Sequence, residues 1–132
     1  FVYAIPLNQE GSPAKHIFWI EAEQIVLTHL SALDHIPSAS VLEHIEDLDV
    51  LLVPVGGQGV LDAKKAAELV SELEPRMVIP MQFRIDGLKT KRDEIAPFLK
   101  AVGAKSETIP KLKLSKKDLP VDEMRVVVLE KN

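Results

Sequence analysis

Apolar residues occur along the chain in short runs typical of strands, separated by segments with helical periodicity. Three apolar, β-rich runs come first, at Phe1–Pro6, His16–Ile20 and Gln24–Thr28. The last two are separated by Glu21–Glu23, a length that suits a hairpin connection. The beginning of the chain therefore predicts three strands, two of them joined as a hairpin.

The middle of the chain alternates between buried strands and an amphipathic helix. Asp49–Val55 is an almost continuous apolar run, typical of a strand buried on both faces, and Met77–Met81 is a second, shorter one. Between them, Ala63–Leu73 places its apolar residues on one face and its lysines and glutamates on the other. Asp62 is the expected N-cap of this helix, and Pro75 follows its end.

Two further helices and two closing strands complete the predicted element order. They span Ser38 or Ser40 to Ile45, Ile95–Val102, Lys111–Leu114 and Met124–Glu130. The order is β-β-β-α-β-α-β-α-β-β, which predicts a layered α/β fold. The whole chain, 1–132, is expected to form a single domain.

Composition narrows the class of protein. The 132 residues are 46% hydrophobic and 27% charged, which is ordinary for a soluble domain, and the net charge of −4 gives no basic field for nucleic acid. The absence of cysteine excludes disulfides, thiolate metal ligands and a cysteine nucleophile. No apolar run reaches the ~18 residues of a membrane span, and no signal peptide is visible. We therefore expect a cytoplasmic protein that binds neither membranes nor nucleic acid.

Three stretches carry the functional signal, and they follow one another in a specific order. They read IVLTHLSALDH at Ile25–His35, DVLLVPVGG at Asp49–Gly57 with Asp62 five residues on, and PRMVIPMQF at Pro75–Phe83. Over about residues 1–103 the chain resembles the second half of the metallo-β-lactamase superfamily. The similar branch is that of small metal-dependent hydrolases, which includes proteins like ascorbate-6-phosphate lactonase. There the stretches usually read H-x-G-D-x-G-H, D-x-L-L-x-P-V-G-G and I-P-M-H-Y.

The resemblance implies a four-layer αββα sandwich with a metal site between its two sheets. This chain would supply half of that sandwich, one mixed sheet with helices on its outer face. In the family, an H-x-H-x-D-H motif from the first half clasps one or two ions of zinc, iron or manganese, which generate a hydroxide nucleophile. The second half adds a bridging aspartate and the histidine of P-M-H-Y.

The chain departs from this pattern at both ligand positions. Ala32 stands where the aspartate is expected, and Gln82 stands where the histidine is expected. Alanine has no donor atom, and the neutral amide of glutamine is a poor substitute for imidazole. The first-half motif is not in the chain. We therefore expect no metal cofactor and a degenerate, non-catalytic domain that acts in assembly or binding. The alternative is part of a metal-dependent hydrolase whose N-terminal half brings the metal.

His29, Asp34 and His35, together with Asp62, form a weaker candidate site. The alternative is a polar loop that caps backbone groups, which is the commoner role of such side chains. The stretch is not a first-half metal motif, because its middle histidine is missing and its Asp-His pair is one residue too distant. His16 and His44 are interpreted as surface or hydrogen-bonding residues.

Other polar and aromatic features have structural interpretations. The glycine-rich stretch at 56–59 matches no phosphate-binding motif and indicates a tight strand-to-helix turn. Four lysines, at Lys111, Lys113, Lys116 and Lys117, are interpreted as a solvated strand edge. Phe18 and Trp19 alternate on one strand; Trp19 is a candidate interface anchor, although a core position is its default.

Half of a sandwich should leave one apolar sheet face without a cover. Two copies packed sheet to sheet about a two-fold axis, or a complementary N-terminal half, would cover it. We therefore predict a homodimer or a complex with that missing half. Because Phe1 is not a methionine and already lies in a predicted strand, we expect either that the native start lies upstream or that the chain was cut.

Overall fold

A computed structural model shows the strands and helices in the predicted order as far as the third helix. It describes residues 2–7, 15–22, 24–30, 36, 39–45, 48–57, 60–81, 93–103, 105–109 and 124–129. The strands are β1 (Val2–Leu7), β2 (Lys15–Ala22), β3 (Ile25–His29), β4 (Val50–Pro54), β5 (Met77–Met81), β6 (Lys105–Ile109) and β7 (Arg125–Leu129). The helices are α1 (Ala39–His44), α2 (Ala63–Leu73) and α3 (Ala96–Val102).

The described strands form one seven-stranded mixed sheet, in the order β1-β2-β3-β4-β5-β7-β6. β1, β2 and β3 pair antiparallel, whereas each pairing from β3 to β6 is parallel. The mixed α/β sheet is therefore confirmed. Because five neighbouring strands run in the same direction, their carboxyl ends meet at one edge of the sheet, where open α/β sheets bind ligands.

The helices pack on one face of this sheet, which we call the helix face. The main core lies between them and joins strand residues to helix residues. Its fully buried members include Ile17, Leu51, Val53 and Val78 from the strands, and Ala66, Leu69 and Phe98 from the helices. Within the described residues, no helix is both long enough and apolar enough to cross a bilayer.

The opposite face, which we call the second face, carries a smaller apolar cluster. Its members Ile25, Val50, Met77, Ile79 and Val127 are at most 8% exposed. The expectation of a bare apolar face is therefore wrong for the centre of this face. Exposure is instead found towards the outer strands, where the side chains of Phe18 and Leu129 are 38% and 39% exposed.

Helix α2 has the boundaries and the two faces that its sequence predicts. Asp62 accepts a hydrogen bond from the Lys65 N–H at 2.8 Å, which is the N-cap interaction. Glu74 ends the helix in the left-handed conformation, with φ 47°, and Pro75 follows. The predicted apolar face packs on the core, and the lysines and glutamates opposite it are exposed.

The connection between β2 and β3 is tighter than the sequence pattern predicts. The strands continue until Ala22 pairs with Ile25, so two residues link them instead of three. Gln24 adopts a positive φ of 66°, which a two-residue hairpin turn commonly requires. The apolar pattern missed this extension because Glu21, although charged, is part of the ladder.

Strand β6 was not predicted, because its sequence KSETI contains no apolar run. It lies parallel to β7 at the sheet edge, and the Arg125 guanidinium pairs with the Glu107 carboxylate between the two strands. The strand predicted at Lys111–Leu114 and the lysine cluster lie outside the described residues. β7 is confirmed.

The amino ends of the parallel strands are joined through Asp49, which lies just before β4. Asp49 and Val26 exchange two hydrogen bonds: the Asp49 N–H donates to the Val26 carbonyl at 2.8 Å, and the Val26 N–H donates to Asp49 Oδ2 at 2.9 Å. The Asp49 carbonyl accepts from the N–H groups of Arg76 and Met77, and the Arg76 carbonyl accepts from the Arg125 N–H. We call this chain of bonds across β3, β4, β5 and β7 the amino-edge clasp.

The carboxylate of Asp49 is 8% exposed and also faces a cation. Arg76 Nε lies 3.8 Å from Asp49 Oδ1, but the arginine side chain is 43% exposed. Water therefore screens this ion pair, which contributes little. The hydrogen bond to Val26 matters more, since a buried backbone N–H without a partner costs free energy.

Thr28 places a hydroxyl in the apolar core. It is 0% exposed, and among the described residues its Oγ1 has no hydrogen-bonding partner. In the strand register it lies between Trp19 of β2 and Leu51 of β4, on the helix face. A buried hydroxyl without a partner destabilises the folded state.

We expect Asp49→Ala to lower the free energy of unfolding by about 1–3 kcal/mol, because the Val26 N–H loses its acceptor. Asp49→Asn keeps an acceptor oxygen and should cost less. Urea denaturation measures both, with the exposed Glu68→Ala as the control. Equal losses for the alanine and asparagine variants would show that the charge, and not the hydrogen bond, is what stabilises the clasp.

Thr28→Val should leave stability unchanged or raise it by about 1 kcal/mol, since valine matches the shape of threonine without the polar atom. Thermal unfolding of the variant beside Thr28→Ser, which keeps the hydroxyl and loses the methyl group, separates the two contributions. A loss above about 1 kcal/mol in the valine variant would mean that the hydroxyl is hydrogen-bonded in solution.

Candidate functional site

Most of the candidate residues follow the carboxyl ends of three neighbouring parallel strands. β3 ends at His29, β4 at Pro54 and β5 at Met81, and these strands are adjacent in the sheet. Ala32, Asp34 and His35 come soon after β3, and Gln82 directly follows β5, but these four lie outside the described residues. The strand order therefore places the carboxyl ends of β3, β4 and β5, from which these segments begin, side by side at one edge of the sheet.

His29 is one of the candidate residues whose position the structure describes. It is half-buried on β3, in register with Phe18 of β2 and Leu52 of β4 on the second face. The next residue, Leu30, is fully buried on the helix face, and its N–H donates to the Leu52 carbonyl at 3.1 Å. These contacts fix the end of β3 and hold His29 on the second face near the carboxyl edge.

The turn after β4 forms the middle of this edge. The Val55 N–H donates to the Met81 carbonyl at 3.0 Å and extends the contact between β4 and β5. The Gly57 N–H donates to the Leu61 carbonyl at 2.9 Å, which closes the chain back towards α2. Gly57 has a φ of 60°, a conformation that favours glycine. The described part of the stretch thus confirms the prediction of a tight strand-to-helix turn.

Asp93 packs against this turn, a contact that the sequence patterns did not predict. Its N–H donates to the Gly56 carbonyl at 2.6 Å. Its Oδ2 lies only 2.5 Å from the position that a Cβ on Gly57 would occupy, so a side chain there would collide with the carboxylate. Asp93 follows a polar segment that has no periodicity, and the partner is distant in sequence. No local pattern could have revealed the contact.

Asp62 lies at the same turn but has a structural role. Its side chain caps α2, and its Cβ is 3.8 Å from the same position above Gly57. The carboxylates of Asp62 and Asp93 both belong to exposed residues. The structure therefore brings Asp62 to the candidate edge, where its hydrogen-bonding capacity serves the Lys65 N–H of the helix.

The resemblance implies a metal centre at this edge. Across the part of the chain that the structure describes, no three His, Asp or Glu side chains converge in a way that would hold a metal ion. The two positions that match family ligands carry Ala32 and Gln82. Alanine supplies no donor, and a neutral amide is a poor ligand for zinc.

Comparison with known proteins agrees with the fold and with the three sequence stretches. The family model of the β-lactamase superfamily domain matches residues 5–82. A UPF0173 metal-dependent hydrolase of Pyrococcus abyssi is 26% identical over 117 residues, which cover 83% of this chain and 51% of the relative. One from Carboxydothermus hydrogenoformans is 27% identical over 78 residues, covering 59% of this chain and 34% of the relative.

A solved structure gives the same result in three dimensions. A protein of Thermotoga maritima, assigned as a Zn-dependent hydrolase of the metallo-β-lactamase superfamily, superposes with a TM-score of 0.83 and 30% sequence identity. The match covers 97% of this chain and 63% of the Thermotoga chain. The chain thus spans between about a third and two thirds of the length of these relatives. By its sequence and its fold, this chain belongs to the metallo-β-lactamase superfamily.

Proposed function

We propose that this chain is a non-catalytic member of its hydrolase family, with a degenerate metal site, and that it acts in assembly or binding. The observation that carries the proposal is the pair of residues Ala32 and Gln82, which replace the aspartate and the histidine of the family motifs. Both replacements are within the present segment. An added N-terminal half would bring its own ligands but would repair neither position.

The strand order supports the inference that the two replacements affect the same site. Ala32 follows β3 and Gln82 follows β5, and β4 is the strand between these two. In this proposal, two donors of one metal site are missing after neighbouring strand ends. A zinc site with fewer than three protein ligands binds weakly, because structural and catalytic zinc sites use four and three protein ligands respectively.

A catalytic alternative is favoured by the relatives and by His29. The relatives are metal-dependent hydrolases, and His29 is a half-buried imidazole near the end of β3. In that alternative, the chain is part of a hydrolase in which first-half histidines hold a single metal. Such an ion would supply a hydroxide for hydrolysis.

Elemental analysis of the purified protein tests the proposal directly. We expect well below one equivalent of zinc, iron or manganese after each metal is supplied in excess and the unbound metal is removed. The matched variant His29→Ala should show the same metal content as the unmodified protein. Stoichiometric metal that is lost in His29→Ala, together with hydrolysis of a phosphodiester or lactone, would establish the catalytic alternative.

Restoring the family residues tests whether these two positions are the cause. We expect the double variant Ala32→Asp, Gln82→His to bind zinc at least about 10-fold more tightly than the unmodified chain, because a carboxylate and an imidazole are added at the edge that holds His29. Titration calorimetry measures the affinity, and each single variant is the control. If zinc affinity does not change, the replaced positions are not what prevents metal binding.

A further inference from the structure

The two outermost strands of the sheet, β6 and β1, differ in the charged residues that they carry. β6 forms one edge, and its sequence KSETI contains Lys105 and Glu107, with exposed side chains from Ser106 to Thr108. β1 forms the other edge, and its sequence VYAIPL contains no charged residue. Soluble proteins commonly protect an edge strand with charges, because its free N–H and C=O groups offer a template for another strand. The β6 edge carries this protection, whereas β1 does not carry charges.

The strand beside β1 adds partly exposed aromatic surface on both faces. Phe18 of β2 is on the second face and is 38% exposed. Trp19 is on the helix face and is half-buried. Phe18 and Trp19 are in register with Ala4 and Tyr3 of β1. An uncharged edge flanked by aromatic side chains has the composition of an interface rather than of a solvated rim.

We propose that β1 pairs with β1 of a second copy of this chain, which makes one continuous sheet across a two-fold axis. This inference rests on the proposed function, since it names the partner in the assembly. A two-fold axis perpendicular to a sheet makes the two edge strands antiparallel, and antiparallel edges exchange hydrogen bonds directly. A strand without charges pairs with itself free of the repulsion that like charges would cause.

Symmetry and Pro6 restrict the register of this pairing. A two-fold axis perpendicular to the sheet leaves each residue and its copy on the same face, and residues directly opposite each other in an antiparallel pair also share a face. Because successive residues of a strand alternate between the faces, a residue cannot lie opposite the copy of its neighbour in sequence. At the axis, one residue must therefore lie opposite its own copy. Pro6 has no N–H to donate, which confines regular pairing to Val2–Ile5. The self-opposed residue is then Tyr3 or Ala4.

Single-cysteine cross-linking tests the pairing, because the chain has no cysteine of its own. Directly opposite residues in an antiparallel pair have Cα atoms about 4.5–5.5 Å apart, which a disulfide spans. On mild oxidation, we expect either Tyr3→Cys or Ala4→Cys to give a covalent dimer, and the matched control Thr108→Cys on the β6 edge to stay monomeric. Failure of both β1 variants to cross-link, or equal cross-linking of the control, would overturn the proposal.

The unmodified chain gives an independent readout. Light scattering at concentrations up to the order of 100 µM, where weak interfaces become populated, should show a dimer. Hydrogen exchange should show amides of β1 that are more protected at high than at low concentration, a result that also decides the matter if a cysteine variant folds poorly.

A monomer with concentration-independent exchange would overturn the pairing. A metal-free monomer would overturn only the pairing, whereas a dimer with stoichiometric metal would overturn only the proposed function.

Discussion

The side chain of Asp49 completes a sheet contact that the backbone alone would leave open. Val26 lies in β3 opposite a point where β4 has not yet begun, so its N–H would face no carbonyl. Asp49 Oδ2 accepts that hydrogen bond, while the backbone of Asp49 serves both neighbours, Val26 on one side and Arg76 and Met77 on the other. The parallel strands are thereby aligned at their amino ends. Their register, and hence the position of every residue at the carboxyl edge, depends on this alignment.

Because the parallel strands are aligned at their amino ends, the sheet can keep its register while the residues after its carboxyl ends change. The clasp lies at the amino ends of β3, β4, β5 and β7, at the opposite end of the strands from the segments that follow β3 and β5. A change of side chain at the carboxyl ends of the strands therefore leaves the hydrogen bonds of the clasp in place. This separation of scaffold from site is general in open α/β sheets, where strand-end loops carry the chemistry.

Patterns that depend on near neighbours in sequence predicted most of the fold. The element order, the exact span of α2 and its Asp62 cap follow from periodicity and from capping chemistry. β6 was missed because its polar residues pair at an edge, where burial imposes no apolar pattern. The apolar runs predicted that β4 and β5 are buried on both faces, and the burial of Val50 and Met77 on the second face confirms it, although a strand's own sequence does not reveal which segment covers it.

The candidate site shows the same limit more strongly. His29, Asp62, Ala32 and Gln82 were identified from motifs, and the strand order then related the segments that contain them. The approach of Asp93 to Gly57 joins two distant segments, so neither position signals it alone.

The proximity of Asp93 to Gly57 couples the residue types that homologues can have at these two positions. Position 57 has a left-handed backbone, which favours glycine, and the tip of the carboxylate at position 93 lies where a Cβ at position 57 would stand. A homologue that acquires a side chain at 57 must therefore accept backbone strain and also move the side chain of residue 93, whereas a homologue that keeps glycine needs neither change. Covariation between these two columns of a family alignment would therefore mark which members share this turn, whether or not they have retained a metal.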